Sequence, residues 1–221
     1  MHEWTIHWLE AAGTLQRWKS RTAAEIEATQ RIVSTLVAPP RLDILVERGA
    51  GAVIAEIGMV GQSYRATLFS LTVDPDNPNF ASSLADGTLR RQVAHEVHHC
   101  LRYAGPGYGA SLGQALVSEG LAGHFVRRLF QTPPEPWERA VEAKVAWGFL
   151  PDAETLASFS YNHRSWFFGA GGHYPRWLGY TLGYMIVGRW LDTMPEVDGP
   201  TLVGVSAAKV LAAARRDGPG G

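Results

Sequence analysis

The chain has 221 residues, a formal net charge of -1 and a single cysteine. This length suits one substantial hydrophobic core or two small ones. A net charge so close to zero gives no electrostatic case for binding nucleic acid or an anionic membrane surface. The single cysteine, Cys100, excludes a disulfide within the chain, and its place on an apolar helix face indicates a packed core thiol rather than a nucleophile.

The sequence contains no run of about 18 apolar residues, the length that crosses a bilayer. Its N-terminus also lacks the charged and then apolar pattern of a secretory signal. We therefore expect a cytoplasmic protein without membrane contact, and the sequence leaves its oligomeric state open.

The N-terminal third predicts a sheet with one long helix. Apolar residues alternate with polar ones in several short runs, and a long helical segment follows the first run and ends before Pro39-Pro40. The predicted strands cover residues 3–9, 41–47, 52–57 and 67–73, and the predicted helix covers residues 14–36.

Helical patterns dominate the rest of the chain, separated by glycine and proline breaks, of which Gly105 to Gly109 predicts a helix stop and a turn. After the helix that contains His95, further helices are predicted at residues 111–130, 137–147, 175–191 and 201–215, with a loose tail at residues 217–221. We predict an α+β fold with an α/β sheet subdomain in residues 1–84 and a helical metal-site subdomain in residues 85–221. The two are expected to form one continuous catalytic domain.

A His-Glu-x-x-His pattern occupies His95, Glu96 and His99. Residues i and i+4 lie one turn apart on the same helix face, so both imidazoles can bind one metal ion. Glu96 lies about 100° further round, where its carboxylate can take a proton from a metal-bound water. Val93 and Val97 fall on the opposite, apolar face. The pattern therefore predicts a metal site on a helix that packs through its other side.

Glu119 is the candidate for a third ligand, because catalytic zinc commonly has three protein ligands. It lies in the middle of an apolar stripe on the next predicted helix. A buried carboxylate is costly unless it is compensated, and a bound cation is one way to compensate it. A salt bridge to a buried arginine is the alternative. His124 falls off the stripe of Glu119 and is expected at the surface.

These segments resemble a known group of enzymes. His-Glu-x-x-His followed by a downstream glutamate resembles the gluzincin metallopeptidases, and the chain is more closely similar to a bacterial family of predicted zinc-dependent proteases. The resemblance rests on Val93 to His99, Ser118 to Ala122 and Gly179 to Tyr184. It implies a zincin-like fold, zinc ligands at His95, His99 and Glu119, and Glu96 as general base.

A zincin-like fold implies that one strand lies at a sheet edge beside the metal, where an extended peptide adds to the sheet through backbone hydrogen bonds. Our candidate for this role is the strand from Thr67 to Val73, and an ordinary sheet strand is at least as good an interpretation of the same residues.

Such a site predicts peptide hydrolysis by a zinc-activated water, with a peptide or protein as the substrate. The oxyanion that forms needs a hydrogen-bond donor. Tyr180 and Tyr184 lie at i and i+4 on one predicted helix face, with Gly183 allowing close backbone approach, so either phenol is a candidate catalytic donor. Each tyrosine is equally compatible with a packed residue whose hydroxyl is satisfied elsewhere.

Two other functions fit the same ligands. The first is a non-catalytic, zinc-stabilised binding or scaffold protein, although such a site has no use for Glu96 beside an open coordination position. The second is hydrolysis of a small amide or another non-peptide bond, which the motif does not distinguish from peptide hydrolysis.

Overall fold

The computed structural model describes residues 4–216. Its contacts divide the chain into two compact units, one ending at Ala104 and the other beginning at Gly105. This division falls later in the chain than the predicted subdomain boundary. The expectation of a single continuous catalytic domain stays a prediction.

The first unit combines a four-stranded mixed sheet with helices. Strand β1 runs parallel to β2, β2 runs parallel to β4, and β3 runs antiparallel to β4. The sheet order is therefore β1-β2-β4-β3. The elements of this unit are β1 (Trp4–Leu9), α1 (Gln16–Val33), β2 (Leu42–Arg48), β3 (Met59–Arg65), β4 (Leu68–Val73), α2 (Phe80–Ala85) and α3 (Thr88–Tyr103).

Alternation of burial explains why the sheet forms where it does. In β2, Leu42, Ile44 and Val46 are buried while Asp43 points outward to His7 of β1. Helix α3 packs on this sheet near β3 and on α1. The motif helix is thus held against the edge of the sheet by its apolar side.

Two strand predictions are wrong. Residues 52–57 form turns with one isolated bridge from Ile54 to Met59, because Gly51 and Gly58, both at positive φ, turn the chain there. Strand β3 was not predicted, because its largely polar sequence carries little apolar alternation, and it lies at one edge of the sheet with β1 at the other. The strand predicted as the edge, Thr67 to Val73, corresponds to β4, which lies between β2 and β3.

The second unit is helical and has its own core. Helices α4 and α8 form the centre of this core, with the short C-terminal helices packed on them. Its elements are α4 (Leu112–Phe130), a 3-10 turn (Pro136–Arg139), α5 (Ala143–Gly148), α6 (Ala153–Ala157), α7 (His163–Phe168), α8 (Leu178–Asp192), α9 (Gly199–Gly204) and α10 (Ala207–Arg216).

Two predicted helices are interrupted in the structure. The helix predicted at residues 137–147 is interrupted because the Thr181 hydroxyl donates to the Trp137 carbonyl at 2.9 Å and accepts from the Val141 amide at 3.4 Å. The helix predicted at residues 201–215 splits at Val205, which is extended, and Ser206 accepts from the Lys209 amide to begin α10. The predicted tail at residues 217–221 lies outside the described residues.

The α+β prediction is confirmed: a mixed N-terminal sheet precedes a mostly helical remainder. Among residues 4–216, no helix has both the length and the apolar composition that a bilayer crossing requires.

Helices α4 and α8 approach closely at two glycines. A Cβ atom on Gly120 would lie 2.1 Å from the Gly183 carbonyl oxygen, and one on Gly183 would lie 2.2 Å from the Leu116 carbonyl oxygen. These distances leave no room for a methyl group against rigid backbone. The close backbone approach expected at Gly183 is therefore an approach to α4.

We predict that Gly183→Ala lowers the free energy of unfolding by about 2 kcal/mol or more, because the two helices must separate. Chemical denaturation measures this change. The matched control is Gly188→Ala on the same helix, where the nearest atom to the added methyl group is 3.7 Å away. The control is expected to be neutral or to stabilise the fold by up to about 1 kcal/mol, and equal effects of the two variants would contradict the prediction.

Candidate metal centre

The His-Glu-x-x-His segment lies within α3, as predicted. Val93 and Val97 are fully buried on the apolar side of the helix. The rings of His95 and His99 lie on the other side with centroids 4.5 Å apart and planes nearly perpendicular. One helical turn thus places two imidazoles together, as the i, i+4 spacing requires.

Glu96 is buried and fixed against the edge strand β3. The Ser63 hydroxyl donates to its carboxylate oxygen Oε2 at 2.8 Å and also lies 3.0 Å from its backbone carbonyl oxygen. Gly61 leaves space for the same side chain, since a Cβ there would lie 2.4 Å from Glu96 Cγ. Ser63 and Gly61 were not identified from the sequence, because the strand that contains them was not predicted.

Cys100 is a core thiol, as expected. It is fully buried, and burial raises the pKa of the thiol to about 12. A group that stays protonated at neutral pH is a poor nucleophile.

Glu119 lies on α4, a helix with a well-defined beginning. The Ser111 hydroxyl accepts from the Gln114 amide, and the Gln114 side chain accepts from the Ser111 amide at 3.1 Å, which forms a capping box. Glu119 is 5% exposed and sits between Ser118 and Gly120, which are both buried. The Tyr108 hydroxyl donates to Glu119 Oε1. The sequence predicted only a turn around Tyr108, so this partner was missed.

The three predicted ligands form one group. The candidate ligand atoms of His95, His99 and Glu119 all lie within 4.8 Å of one another. Two imidazole nitrogens and one carboxylate oxygen are one of the donor sets that catalytic zinc takes in proteins. The chemistry of this donor set therefore fits a zinc ion.

Tyr180 belongs to an aromatic cluster of the second unit. Its ring centroid lies 5.0 Å from that of Phe167, 6.1 Å from that of Phe168 and 5.6 Å from that of Trp177. These contacts fix the ring by packing. The role of its hydroxyl as an oxyanion donor stays a prediction.

Tyr184 lies in different surroundings. Its ring stacks on His124 with centroids 4.0 Å apart, and the Arg127 guanidinium donates to its hydroxyl at 3.2 Å. Both rings line a cavity of about 1040 Å³ that does not have Glu119 among its lining residues. The catalytic role predicted for Tyr184 also stays a prediction.

His124 was expected at the surface and is half-buried. Its ring is held between the stacked Tyr184 ring and the Tyr184 carbonyl oxygen, 3.0 Å from His124 Nε2. Burial is the main reason that the pKa of His124 falls to about 4, and the nearby Arg127 lowers it further. The ring is therefore neutral at pH 7 and donates from Nε2 to that carbonyl.

We predict that protonation of His124 lowers the free energy of unfolding as pH falls from about 6.5 to about 4. The folded-state pKa lies below the unfolded value, so the unfolded chain takes up the proton first in this window. The loss is at most about 3 kcal/mol and levels off below the folded-state pKa. Denaturation from pH 4 to pH 7 should show this slope in the wild type and a weaker one in His124→Gln. An NMR titration that gave His124 a pKa near 6.5 would contradict the prediction.

Comparison with known proteins gives one match. A search of curated proteins and a search of solved structures find no significant similarity. The model of a protein family described as "Predicted Zn-dependent protease (DUF2268)" matches residues 22–212. This range includes both motif segments and most of both units, and on that basis the chain belongs to this family of predicted zinc-dependent proteases.

Proposed function

We propose that this protein is a zinc metallopeptidase of the gluzincin type, in which His95, His99 and Glu119 bind the metal and Glu96 is the general base. The observation that carries the proposal is the grouping of two histidines and one glutamate within 4.8 Å, with the motif glutamate on the same helix as both histidines. Family membership supports the same assignment.

Zinc, when bound, lowers the pKa of a coordinated water and polarises the scissile carbonyl. Glu96 accepts the proton of the attacking water and passes it to the leaving amine. Ser63 supports this role, because its hydroxyl bonds to Oε2 of Glu96 at 2.8 Å and limits rotation of the carboxylate. Gly61 lies against the same side chain, where an added Cβ atom would be 2.4 Å from Glu96 Cγ.

The edge strand β3 is the proposed binding strand for a peptide substrate. It pairs only with β4 in the described sheet, so its outer edge remains for an added strand. Ser63 and Gly61 of this strand contact Glu96, which supports β3 as the strand beside the proposed general base. An extended peptide bound here would present its backbone next to Glu96.

Tyr180 and Tyr184 remain the proposed oxyanion donors. A phenol supplies a donor without adding charge. The Tyr184 hydroxyl accepts from Arg127 at 3.2 Å, which leaves its own proton to donate. Single phenylalanine variants of each tyrosine distinguish the two.

We predict that Glu96→Gln lowers peptide hydrolysis by at least about 100-fold and leaves zinc content unchanged, because the amide cannot accept the water proton. A library of quenched fluorescent peptides measures hydrolysis, and elemental analysis measures zinc. The matched control is Glu47→Gln, whose carboxylate also accepts from a hydroxyl, that of Thr72 at 3.0 Å. Wild-type rates in Glu96→Gln would remove Glu96 from the mechanism.

The same assay separates the alternatives. A zinc-stabilised scaffold would retain zinc and show no hydrolysis in the wild type. An enzyme for small amides would leave peptides intact and hydrolyse a panel of simple amide substrates with the same dependence on Glu96.

A further inference from the structure

Tyr108 is held by two consecutive residues of α4. Its hydroxyl donates to Glu119 Oε1, and its carbonyl oxygen accepts from the Ser118 hydroxyl. Ser118 is fully buried, and Glu119 is 5% exposed. The backbone and the phenol of Tyr108 are thus both tied to the helix that carries the proposed ligand.

The turn around Tyr108 is fixed by other contacts as well. A Cβ atom on Gly109 would lie 3.0 Å from Ala115 Cα, so the turn runs directly along the first turns of α4. The Ala110 amide donates to Gln114 Oε1 at 2.9 Å. These contacts place the phenol beside Glu119 without relying on the hydrogen bond between the two side chains.

A carboxylate binds a metal ion more tightly when its orientation is fixed before the metal binds. Carboxylates that bind metal ions are themselves commonly hydrogen-bonded, and such partners are worth about 10- to 100-fold in metal affinity or activity. A phenol that donates to one carboxylate oxygen restricts rotation of the group and leaves the other oxygen for the metal. A phenol carries no positive charge, so it can orient Glu119 without competing with a bound cation for the carboxylate.

We propose that Tyr108 is a positioning residue that holds the Glu119 carboxylate in the orientation that binds zinc. This inference rests on the zinc site proposed above. It assigns a function to the segment Gly105 to Gly109, which the sequence pattern alone identifies only as a turn.

The test is zinc affinity of the full chain. Wild type, Tyr108→Phe and Tyr174→Phe are stripped with a chelator and titrated with Zn²⁺ in competition with a chromophoric chelator. Tyr174→Phe is the matched control, because Tyr174 is a half-buried tyrosine of the same unit that stacks on Trp166 at 4.1 Å. We expect Tyr108→Phe to bind zinc about 10- to 100-fold more weakly than wild type, and the control to match wild type.

A second measurement separates orientation of the ligand from general loosening of the turn. At saturating Co²⁺, the visible spectrum reports the ligands around the metal. Tyr108→Phe should give an altered cobalt spectrum, because the released carboxylate is free to bind through both oxygens, whereas Tyr174→Phe should give the wild-type spectrum.

Three results would overturn the inference. Zinc affinity of Tyr108→Phe within about twofold of wild type would show that the phenol does not assist Glu119. Weaker affinity with an unchanged cobalt spectrum would show that Tyr108 only stabilises the fold. Absence of zinc binding in the wild type would contradict the proposed function itself and the inference with it.

Discussion

The cost of burying the Glu119 carboxylate is the constraint on which the candidate site depends. Glu119 is 5% exposed on a helix whose neighbouring side chains are buried. An ion removed from water without compensation costs several kcal/mol. The Tyr108 hydroxyl supplies one hydrogen bond to this carboxylate. The nearby imidazoles of His95 and His99 complete a donor set for a divalent cation, and such a cation would compensate the charge of the carboxylate. A bound zinc ion would therefore contribute to the stability of the fold as well as to chemistry.

Close packing around the proposed site explains why several positions are glycine. Gly61 keeps the edge strand clear of Glu96, and Gly109 lets the Tyr108 turn run against α4. Gly120 follows Glu119 directly and lets α8 approach α4 at backbone distance. The absent side chain leaves space for Glu96 at Gly61, for α4 at Gly109 and for α8 at Gly120.

The sequence identified the side chains of the candidate metal group because the patterns that mark them are local to single helices. The i, i+4 spacing of His95 and His99 is enough to place both rings on one face of α3, and the apolar stripe around Glu119 is visible in α4. The fold class followed from the change from alternating to helical periodicity. The edge strand β3 could not be predicted from periodicity, because its sequence is largely polar and its register depends on pairing with β4. The sequence did not identify the contacts of Tyr108, Ser63 and His124 for a similar reason. Each contact joins two different segments of the chain, and Tyr108 lies in a turn with no periodic signal.

Metal content of the purified protein tests the three-ligand site most directly. Wild type and Glu119→Ala receive the same chelator treatment, and zinc per chain is measured by elemental analysis. We predict about one zinc ion per wild-type chain and a loss or strong reduction in Glu119→Ala. Full zinc occupancy in Glu119→Ala would contradict the assignment of Glu119, and absence of zinc from both proteins would contradict the zinc site as a whole.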